Sequence, residues 1–212
     1  MKKLKIKIDL KILIFLALFY LTNQIKNYLI IMFFCMIHEC GHIIMGLILK
    51  MTPEKLEIIP CGISVSFKEK TDDSNLNLKK IFVALAGPFI SMGLAILYTK
   101  IEPIYISKQV AIYANILVLL FNLVPIYPLD GGRIVKGILY MRVGAIKSEK
   151  VTNKISNITM ICITIISSIA VYYFKNIAIF LICIFLWVIT IRENNKFRME
   201  KNSKTLAIFQ GK

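Results

Sequence analysis

The sequence predicts an all-α polytopic membrane protein with about six transmembrane helices and a small β-hairpin or re-entrant element after the second span. Two observations carry this prediction. Of the 212 residues, 57% are hydrophobic and 18% are charged, and the mean hydropathy is +0.70, whereas a soluble domain averages about 45–50% apolar residues. The apolar residues also form six runs, at about 10–22, 28–49, 81–99, 109–123, 155–174 and 177–191.

The first and fourth runs need separate interpretation. The first follows a basic start, as a signal peptide would, but the sequence NQIKN follows it without a small-residue cleavage site, so we interpret it as an uncleaved span. The fourth is shorter than the roughly 20 residues of a straight crossing. The prolines and glycines of NLVPIYPLDGG predict that it continues as non-helical backbone, which is tolerated at membrane depth only under a cover of protein or in a water-filled cavity.

Residues 55–67, KLEIIPCGISVSF, differ from the apolar runs. ISVSF alternates apolar and polar residues, the pattern of a half-exposed strand. Pro60 and Gly62 allow a turn before it, which predicts a small hairpin at the cytoplasmic end of the protein. An edge strand that pairs with an extended peptide is an equally good interpretation.

The net charge of +15 bears on partners and topology. The basic residues lie between apolar runs and no nucleic-acid motif occurs, which argues against nucleic acid and favours contact with the lipid bilayer. With six spans, 23 of the 27 basic residues fall on one side of the membrane and four on the other. The positive-inside rule then places both termini of this multi-pass cell-membrane protein in the cytoplasm. We assign residues 1–191 to one membrane domain and 192–212 to a short cytoplasmic tail.

The second run contains HECGH. His38 and His42 lie four residues apart, so both imidazoles project from one helix face and can reach one metal ion at about 2.0–2.1 Å. Ionisable side chains at the bilayer centre cost about 2.5–3.5 kcal/mol each on insertion scales, which argues against a chance occurrence. HExxH on a helix is the arrangement of zinc hydrolases, in which Glu39 would take a proton from the attacking water.

A catalytic zinc usually has three protein ligands. Asp130 is the best third ligand by elimination, because the other acidic residues outside the motif lie in tails, connectors or span ends. Pro128 and the glycines 131–132 would let irregular backbone aim its carboxylate. Cys35 is a rival, since it lies three residues before His38 on the same helix face and would make the zinc structural; packing as a free thiol is the commoner role.

Two further features lie within apolar runs. Asn122 can donate a hydrogen bond to a substrate carbonyl or a developing oxyanion, or instead form a hydrogen bond between helices. Gly87 and Pro88 are expected to break the third span, and we interpret the small residues there as packing contacts.

These motifs resemble those of the site-2 proteases, peptidase family M50, which are intramembrane zinc metalloproteases. The resemblance rests on HECGH, AGPFIS and NLVPIYPLDGG, covers about residues 28–140 and is strongest to the stage IV sporulation branch of the family. It implies that one zinc ion per chain is bound by three side chains, that a glutamate activates water and that an asparagine helps to position the substrate. The three zinc ligands would be His38, His42 and Asp130. Glu39 would activate the water, and Asn122 would help to position the substrate.

The resemblance also implies partners: a membrane-tethered protein substrate, in the sporulation branch a sigma-factor precursor, and inhibitory membrane proteins. The segment near 56–67 would help to hold the substrate as a strand. Ser91 stands near the position at which the family often has asparagine, and no role is transferred to it. We expect neither a CBS nor a PDZ domain. Two other interpretations stay open: a metal-ion transporter with a His/Asp transit site, and a catalytically inactive scaffold that keeps zinc for stability.

Overall fold

The computed structural model describes residues 5–8, 11–59, 62–67, 75–174 and 177–210. The chain divides into two compact units, Met1–Leu123 and Val124–Lys212. The first unit contains, in chain order, β1 (Lys5–Ile8), α1 (Lys11–Leu21), α2 (Ile25–Ile48), β2 (Pro53–Ile59), β3 (Gly62–Phe67), α3 (Leu76–Tyr98) and α4 (Lys108–Leu123). The second contains α5 (Asp130–Val143), α6 (Ala145–Phe174) and α7 (Ile177–Gln210).

Within the described ranges, three helices are long and apolar enough to cross a membrane: Ile25–Ile48, Leu76–Tyr98 and Ala145–Tyr173. Two shorter apolar helices, Ile12–Leu21 and Lys108–Leu123, lie where the first and fourth spans were predicted. Each of these has fewer than the roughly 20 residues of a straight crossing. The three long helices support a membrane protein, and the count of six spans stays a prediction.

The core of the first unit lies among α2, α3 and α4. Phe34 of α2 is fully buried against Ala111, Ala114 and Val118, which follow one face of α4. Alanines at such a contact let two helix backbones approach closely. The ring of Phe34 also meets the edge of Tyr98 on α3, with 5.9 Å between ring centroids. One face of α2 is therefore held against two other helices, and this face continues into the candidate metal site.

A three-stranded sheet with the order β1-β2-β3 accompanies the helices of the first unit. β2 and β3 are antiparallel, with Leu56 opposite Val65, and Val65 is buried, as the alternation in this segment predicts. β1 runs parallel to β2, with Ile6 opposite Leu56. The sequence did not predict β1, because KIKI is too short to separate from the basic start of a span. The molecule is mostly helical, but its fold is not all-α, and Pro60, a predicted turn residue, lies outside the described residues.

The second unit begins with irregular backbone at residues 124–129, as predicted, but the chain then returns to a helix earlier than expected. α5 starts at Asp130, so Gly131 and Gly132 are helical and buried rather than part of a loop. A side chain at Gly132 would overlap the backbone of Ile126 and Tyr127, which explains the glycine there. The prediction of irregular backbone through both glycines was wrong, because their close packing against the preceding turn outweighs their low helix propensity.

Polar side chains join the helices of the second unit. Lys136 of α5 donates to Glu149 of α6 at 3.1 Å, and its ammonium lies 4.6 Å from the ring centre of Tyr127. Burial lowers the pKa of Lys136, but Tyr127, Glu149 and Glu193 raise it by more, so that the pKa lies above its ordinary value of 10.5. Lys136 therefore stays protonated, and keeps its ion pair, throughout the physiological pH range.

α6 and α7 are joined by hydrogen bonds at two levels. The indole of Trp187 donates to the hydroxyl of Thr164 at 2.9 Å, and the amide of Asn194 donates to the Asn157 side chain at 2.8 Å. Such contacts between apolar helices average about 0.6 kcal/mol each. α7 continues to Gln210, so the predicted tail at 192–212 is helical as far as residue 210. Lys, Arg and Glu, which are abundant in this segment, are good helix formers.

Candidate metal centre

His38 and His42 lie on one face of α2, as their spacing predicts. Both side chains are almost fully buried, at 1% and 2% exposure, in the middle and second half of a 24-residue apolar helix. Their ring centroids are 5.0 Å apart and the ring planes are nearly perpendicular. Two imidazoles so close together in an apolar helix are expensive to bury, which points to a role beyond packing.

The neighbouring helix α3 orients both rings through their Nδ1 atoms. Nδ1 of His42 lies 2.6 Å from the backbone oxygen of Val83, and Nδ1 of His38 lies 2.8 Å from the hydroxyl of Ser91. A carbonyl oxygen can only accept, so Nδ1 of His42 carries a proton and Nε2 of the neutral ring carries the lone pair that a metal needs. Hydrogen bonds of this kind fix the ring orientation of metal-binding histidines.

Gly87 of α3 explains how the backbone of this helix comes so close to the histidines. A Cβ atom at this position would overlap Nε2 of His38 and would lie 2.5 Å from Nε2 of His42. The Nε2 atoms of both rings therefore lie on the side of α2 that faces Gly87. The sequence indicates only a packing role for this glycine, whereas its position in the structure is specific to the two imidazoles.

Pro88 follows Gly87 within α3 and does not interrupt the helix. The prediction of a broken third span was therefore wrong. A proline removes one backbone donor, but membrane-spanning helices tolerate it where the surrounding structure satisfies the freed carbonyl.

Asp130 is the first residue of α5 and is 5% exposed. The preceding residue, Leu129, has no side chain that could cap the helix. A carboxylate in the first turn is favoured by the unpaired amides and the positive end of the helix dipole. Arg133, one turn further on, has a guanidinium nitrogen 3.9 Å from the carboxylate and is itself partly exposed. The carboxylate therefore lies beside the positive end of α5 and the charge of Arg133, and a metal ion would bind its deprotonated form.

His38 and His42 in the first unit offer two imidazoles, and Asp130 at the start of the second unit offers a carboxylate. Two imidazoles and one carboxylate form a donor set typical of catalytic zinc sites, so the residues present fit this metal. Among the residues that the structure describes, no group of this kind includes Cys35, which is half-buried on α2. The choice of Asp130 over Cys35 as the third ligand stays a prediction.

The two residues predicted to act in catalysis are both half-buried. Glu39 lies on α2 directly after His38. Asn122 lies one residue before the end of α4, and its amide nitrogen donates to the backbone oxygen of Val118 at 3.0 Å. Through this contact the Asn122 side chain bonds to the backbone of its own helix, four residues earlier. The roles of Glu39 and Asn122 stay predictions.

Comparison with known proteins bears on this arrangement. Residues 101–166 match the sequence profile of peptidase family M50, and this stretch contains Asn122 and Asp130. The chain is 29% identical over 136 residues to the stage IV sporulation protein FB of Bacillus subtilis, which is 62% of this chain and 46% of that protein. It is 28% identical over 126 residues to a zinc metalloprotease of Methanocaldococcus jannaschii, which is 56% of this chain and 36% of the relative.

The resemblance to the site-2 proteases of family M50 is confirmed. A putative zinc metalloprotease of Synechocystis is also similar, at 32% identity over 115 residues, or 50% of this chain and 29% of that protein. The chain spans less than half the length of each of these curated relatives. The fold is shared with the solved site-2 protease from M. jannaschii, with a TM-score of 0.66, 22% identity and coverage of 91% of this chain and 93% of that one.

Three residues on α3 meet the histidines although the sequence assigned them no role at the site: Val83, Gly87 and Ser91. Their spacing of four residues places them on one helix face, and that face meets the histidine pair. The sequence shows small residues in this part of the third span, but their presence does not indicate which helix they contact. The HECGH motif in α2 can be recognised from its residue types alone. The role of the α3 residues is visible only from how α3 packs against α2.

Proposed function

We propose that this protein is an intramembrane zinc metalloprotease that cleaves a membrane-associated protein substrate. The observation that carries the proposal is the buried pair of histidines, His38 and His42, whose rings are both oriented by α3 within an apolar helix. The similarity to the site-2 proteases supports the same reaction class. We place the protein in the cell membrane as a multi-pass protein with both termini in the cytoplasm.

His38, His42 and Asp130 would hold one zinc ion per chain. When bound, zinc supplies a Lewis acid that polarises a peptide carbonyl and makes a water molecule more acidic. Glu39 acts as the general base: its carboxylate takes a proton from the attacking water and returns it to the leaving amine. His38 and His42 are almost fully buried, and electrostatic interactions are stronger in such low-dielectric surroundings than in water.

Asn122 would help to position the substrate. It lies on the α4 face that also carries Val118, and its bond to the Val118 backbone oxygen uses one of its two amide N–H groups. A side-chain amide can donate to the substrate carbonyl and hold it as negative charge develops on the oxygen. This is a positioning and electrostatic role, in contrast to the proton transfer by Glu39.

The substrate we propose is a membrane-tethered precursor of a transcription factor, as in the sporulation branch. The similarity to the B. subtilis stage IV sporulation protein FB supports this choice. The substrate would then be a sigma-factor precursor. Inhibitory membrane proteins would be expected to keep the enzyme inactive until the sigma factor is needed. A helical substrate would have to unwind locally near its cleavage site before its carbonyl could be reached.

The deciding experiment compares purified wild-type protein with Glu39→Gln. Both are assayed for bound zinc and for cleavage of a co-expressed, membrane-tethered reporter. We expect about one zinc ion per chain in both proteins, and cleavage that falls by about 10²–10⁴-fold in the variant, because loss of a general base costs that much. His38→Ala serves as the control that loses both zinc and cleavage.

The other outcomes separate the alternatives. Loss of zinc in Glu39→Gln would make Glu39 a ligand and would contradict its assignment as base. Zinc in wild type without cleavage of any tethered reporter, together with zinc flux into vesicles that contain the protein, would replace the protease by a transporter. Zinc without cleavage or flux, and with a lower unfolding temperature after chelation, would support the inactive scaffold.

A further inference from the structure

The two histidines are oriented by partners of different chemistry. His42 faces the carbonyl oxygen of Val83, which is an acceptor only, so the position of its proton is determined. His38 faces the hydroxyl of Ser91, which can either accept or donate. The 2.8 Å contact is therefore compatible with two forms of the His38 ring. If Ser91 accepts, Nδ1 is protonated; if Ser91 donates, the proton sits on Nε2.

Only one of these two forms suits a metal site. Nε2 of His38 is the nitrogen on the Gly87 side, which is also the side of Nε2 of His42. A proton on this atom would occupy the lone pair that a metal ion needs. In water a neutral imidazole favours the form with its proton on Nε2, so the unassisted ring would mostly present the wrong nitrogen. The surroundings of His38 must reverse that preference.

We propose that Ser91 is a positioning residue that accepts a hydrogen bond from Nδ1 of His38 and thereby keeps Nε2 unprotonated for metal binding. Ser91 and His38 are both 1% exposed, so bulk water does not compete with the hydroxyl for Nδ1 of His38. The proposal rests on the proposed metal site, and it concerns the protonation form of one ring rather than the cleavage reaction. Partners of this kind commonly affect metal affinity by 10–100-fold.

The chain offers an unusually clean test because it contains two histidines in all. Protein labelled with ¹⁵N-histidine in detergent micelles would show the ring nitrogens of these two residues and no others. Spectra of the metal-free protein at about pH 8.5, well above the ordinary histidine pKa of about 6.5, report which nitrogen of each neutral ring is protonated. His38→Asn and His42→Asn, measured separately, assign the signals.

In the wild type we expect both rings to carry the proton on Nδ1. In Ser91→Ala, the His38 ring should shift toward the form protonated on Nε2, while the His42 ring, held by Val83, should not change. Ser91→Thr keeps a hydroxyl at this position and should restore the wild-type form. Ser167→Ala is the matched control: it also removes a buried helix hydroxyl, one that donates to the Thr164 backbone at 3.0 Å and not to a histidine.

The affinity for zinc is measured on the same proteins by competition with a chelator. We expect Ser91→Ala to weaken zinc binding about 10–100-fold, with Ser91→Thr and Ser167→Ala close to wild type. The absorption spectrum of Co²⁺-loaded protein should change in Ser91→Ala, which a loss of stability alone would not produce.

Two results would overturn the proposal: a wild-type His38 ring protonated on Nε2, or a Ser91→Ala variant in which the His38 ring and the zinc affinity stay unchanged. Failure of the proposed function has a different signature. A wild type with both rings protonated on Nδ1 that binds zinc but cleaves nothing supports the role of Ser91 and contradicts the protease.

Discussion

At the scale of single residues, the site depends as much on what is missing as on what is present. Gly87 has no side chain, and this absence is what allows the α3 backbone to lie beside Nε2 of both His38 and His42. Alanine would be the better helix former by about 1 kcal/mol. Glycine thus lowers the helix stability of α3 at a position where a methyl group would meet two imidazoles.

Gly87→Ala should therefore lower zinc affinity by at least about 10-fold, because the new methyl group must displace one or both rings from their hydrogen bonds with α3. Zinc content after dialysis against a weak chelator measures the effect. Gly93→Ala is the matched control on the same helix, since a Cβ there meets no atom within 4 Å. It should bind zinc normally. Equal zinc affinity in Gly87→Ala and wild type would mean that His38 and His42 do not bind the metal through Nε2.

The site residues differ in how far the sequence could predict them. His38, Glu39 and His42 form a local pattern whose chemistry follows from helix geometry alone. Asp130 was chosen by elimination, which is possible because acidic residues are rare in the apolar part of this chain. Ser91 could not be assigned a role, because a serine in an apolar helix most often bonds to its own backbone. Only the packing of α3 against α2 shows that its hydroxyl faces a histidine.

At the scale of elements, α2 serves two structures at once. One face carries the histidines, and Gly46, two turns after His38, receives the ring of Phe67 from β3. The ring lies where a Cβ of residue 46 would be. The helix that holds the candidate metal ligands is thereby attached to the sheet within the first unit.

Gly46→Ala should disturb this attachment. The added methyl group overlaps the Phe67 ring, and overpacking of this kind typically costs about 1–3 kcal/mol, reduced here by the helix propensity of alanine. Hydrogen exchange of the amides in residues 53–59 and 62–67 should become faster while α3 stays protected. Combining Gly46→Ala with Phe67→Leu should recover most of the protection. If the single variant exchanges like the wild type, the ring is free to move aside and the contact is not structural.

Element prediction succeeded where a long apolar run stands alone and failed where short segments depend on partners. The predicted runs 28–49 and 81–99 end within one residue of α2 and α3, but they start three and five residues late, because each follows a continuous apolar stretch and leaves out its polar first turn. β1 has four residues and is defined by pairing with β2, which lies about 50 residues further along the chain. α5 begins with an aspartate and two glycines, a sequence that local propensity assigns to a turn. Pairing with a distant strand decided β1, and packing of Gly132 against the preceding turn decided the start of α5.

At the scale of the whole molecule, the number of spans decides where the ends of the chain lie. The three long apolar helices, α2, α3 and α6, would by themselves place the two termini on opposite sides of the membrane. If α1, α4 and α7 also cross, the number is six and the termini share one side. The distribution of 23 basic residues against four favours six. Helices α1 and α4, although short, would then have to cross a locally thinned bilayer or be extended by their flanking residues.

Reporter fusions to the full chain test this directly. A fluorescent protein that matures only in the cytoplasm and an alkaline phosphatase active only outside it would each be joined after residue 212, and each inserted near residue 103, between α3 and α4. Six spans predict fluorescence at the C-terminus and phosphatase activity at residue 103. Substituting Lys2, Lys3, Lys5 and Lys7 by Gln should weaken this orientation, because basic residues beside the first span help to set it. Phosphatase activity at the C-terminus, with a cytoplasmic N-terminus, would instead show an odd number of spans.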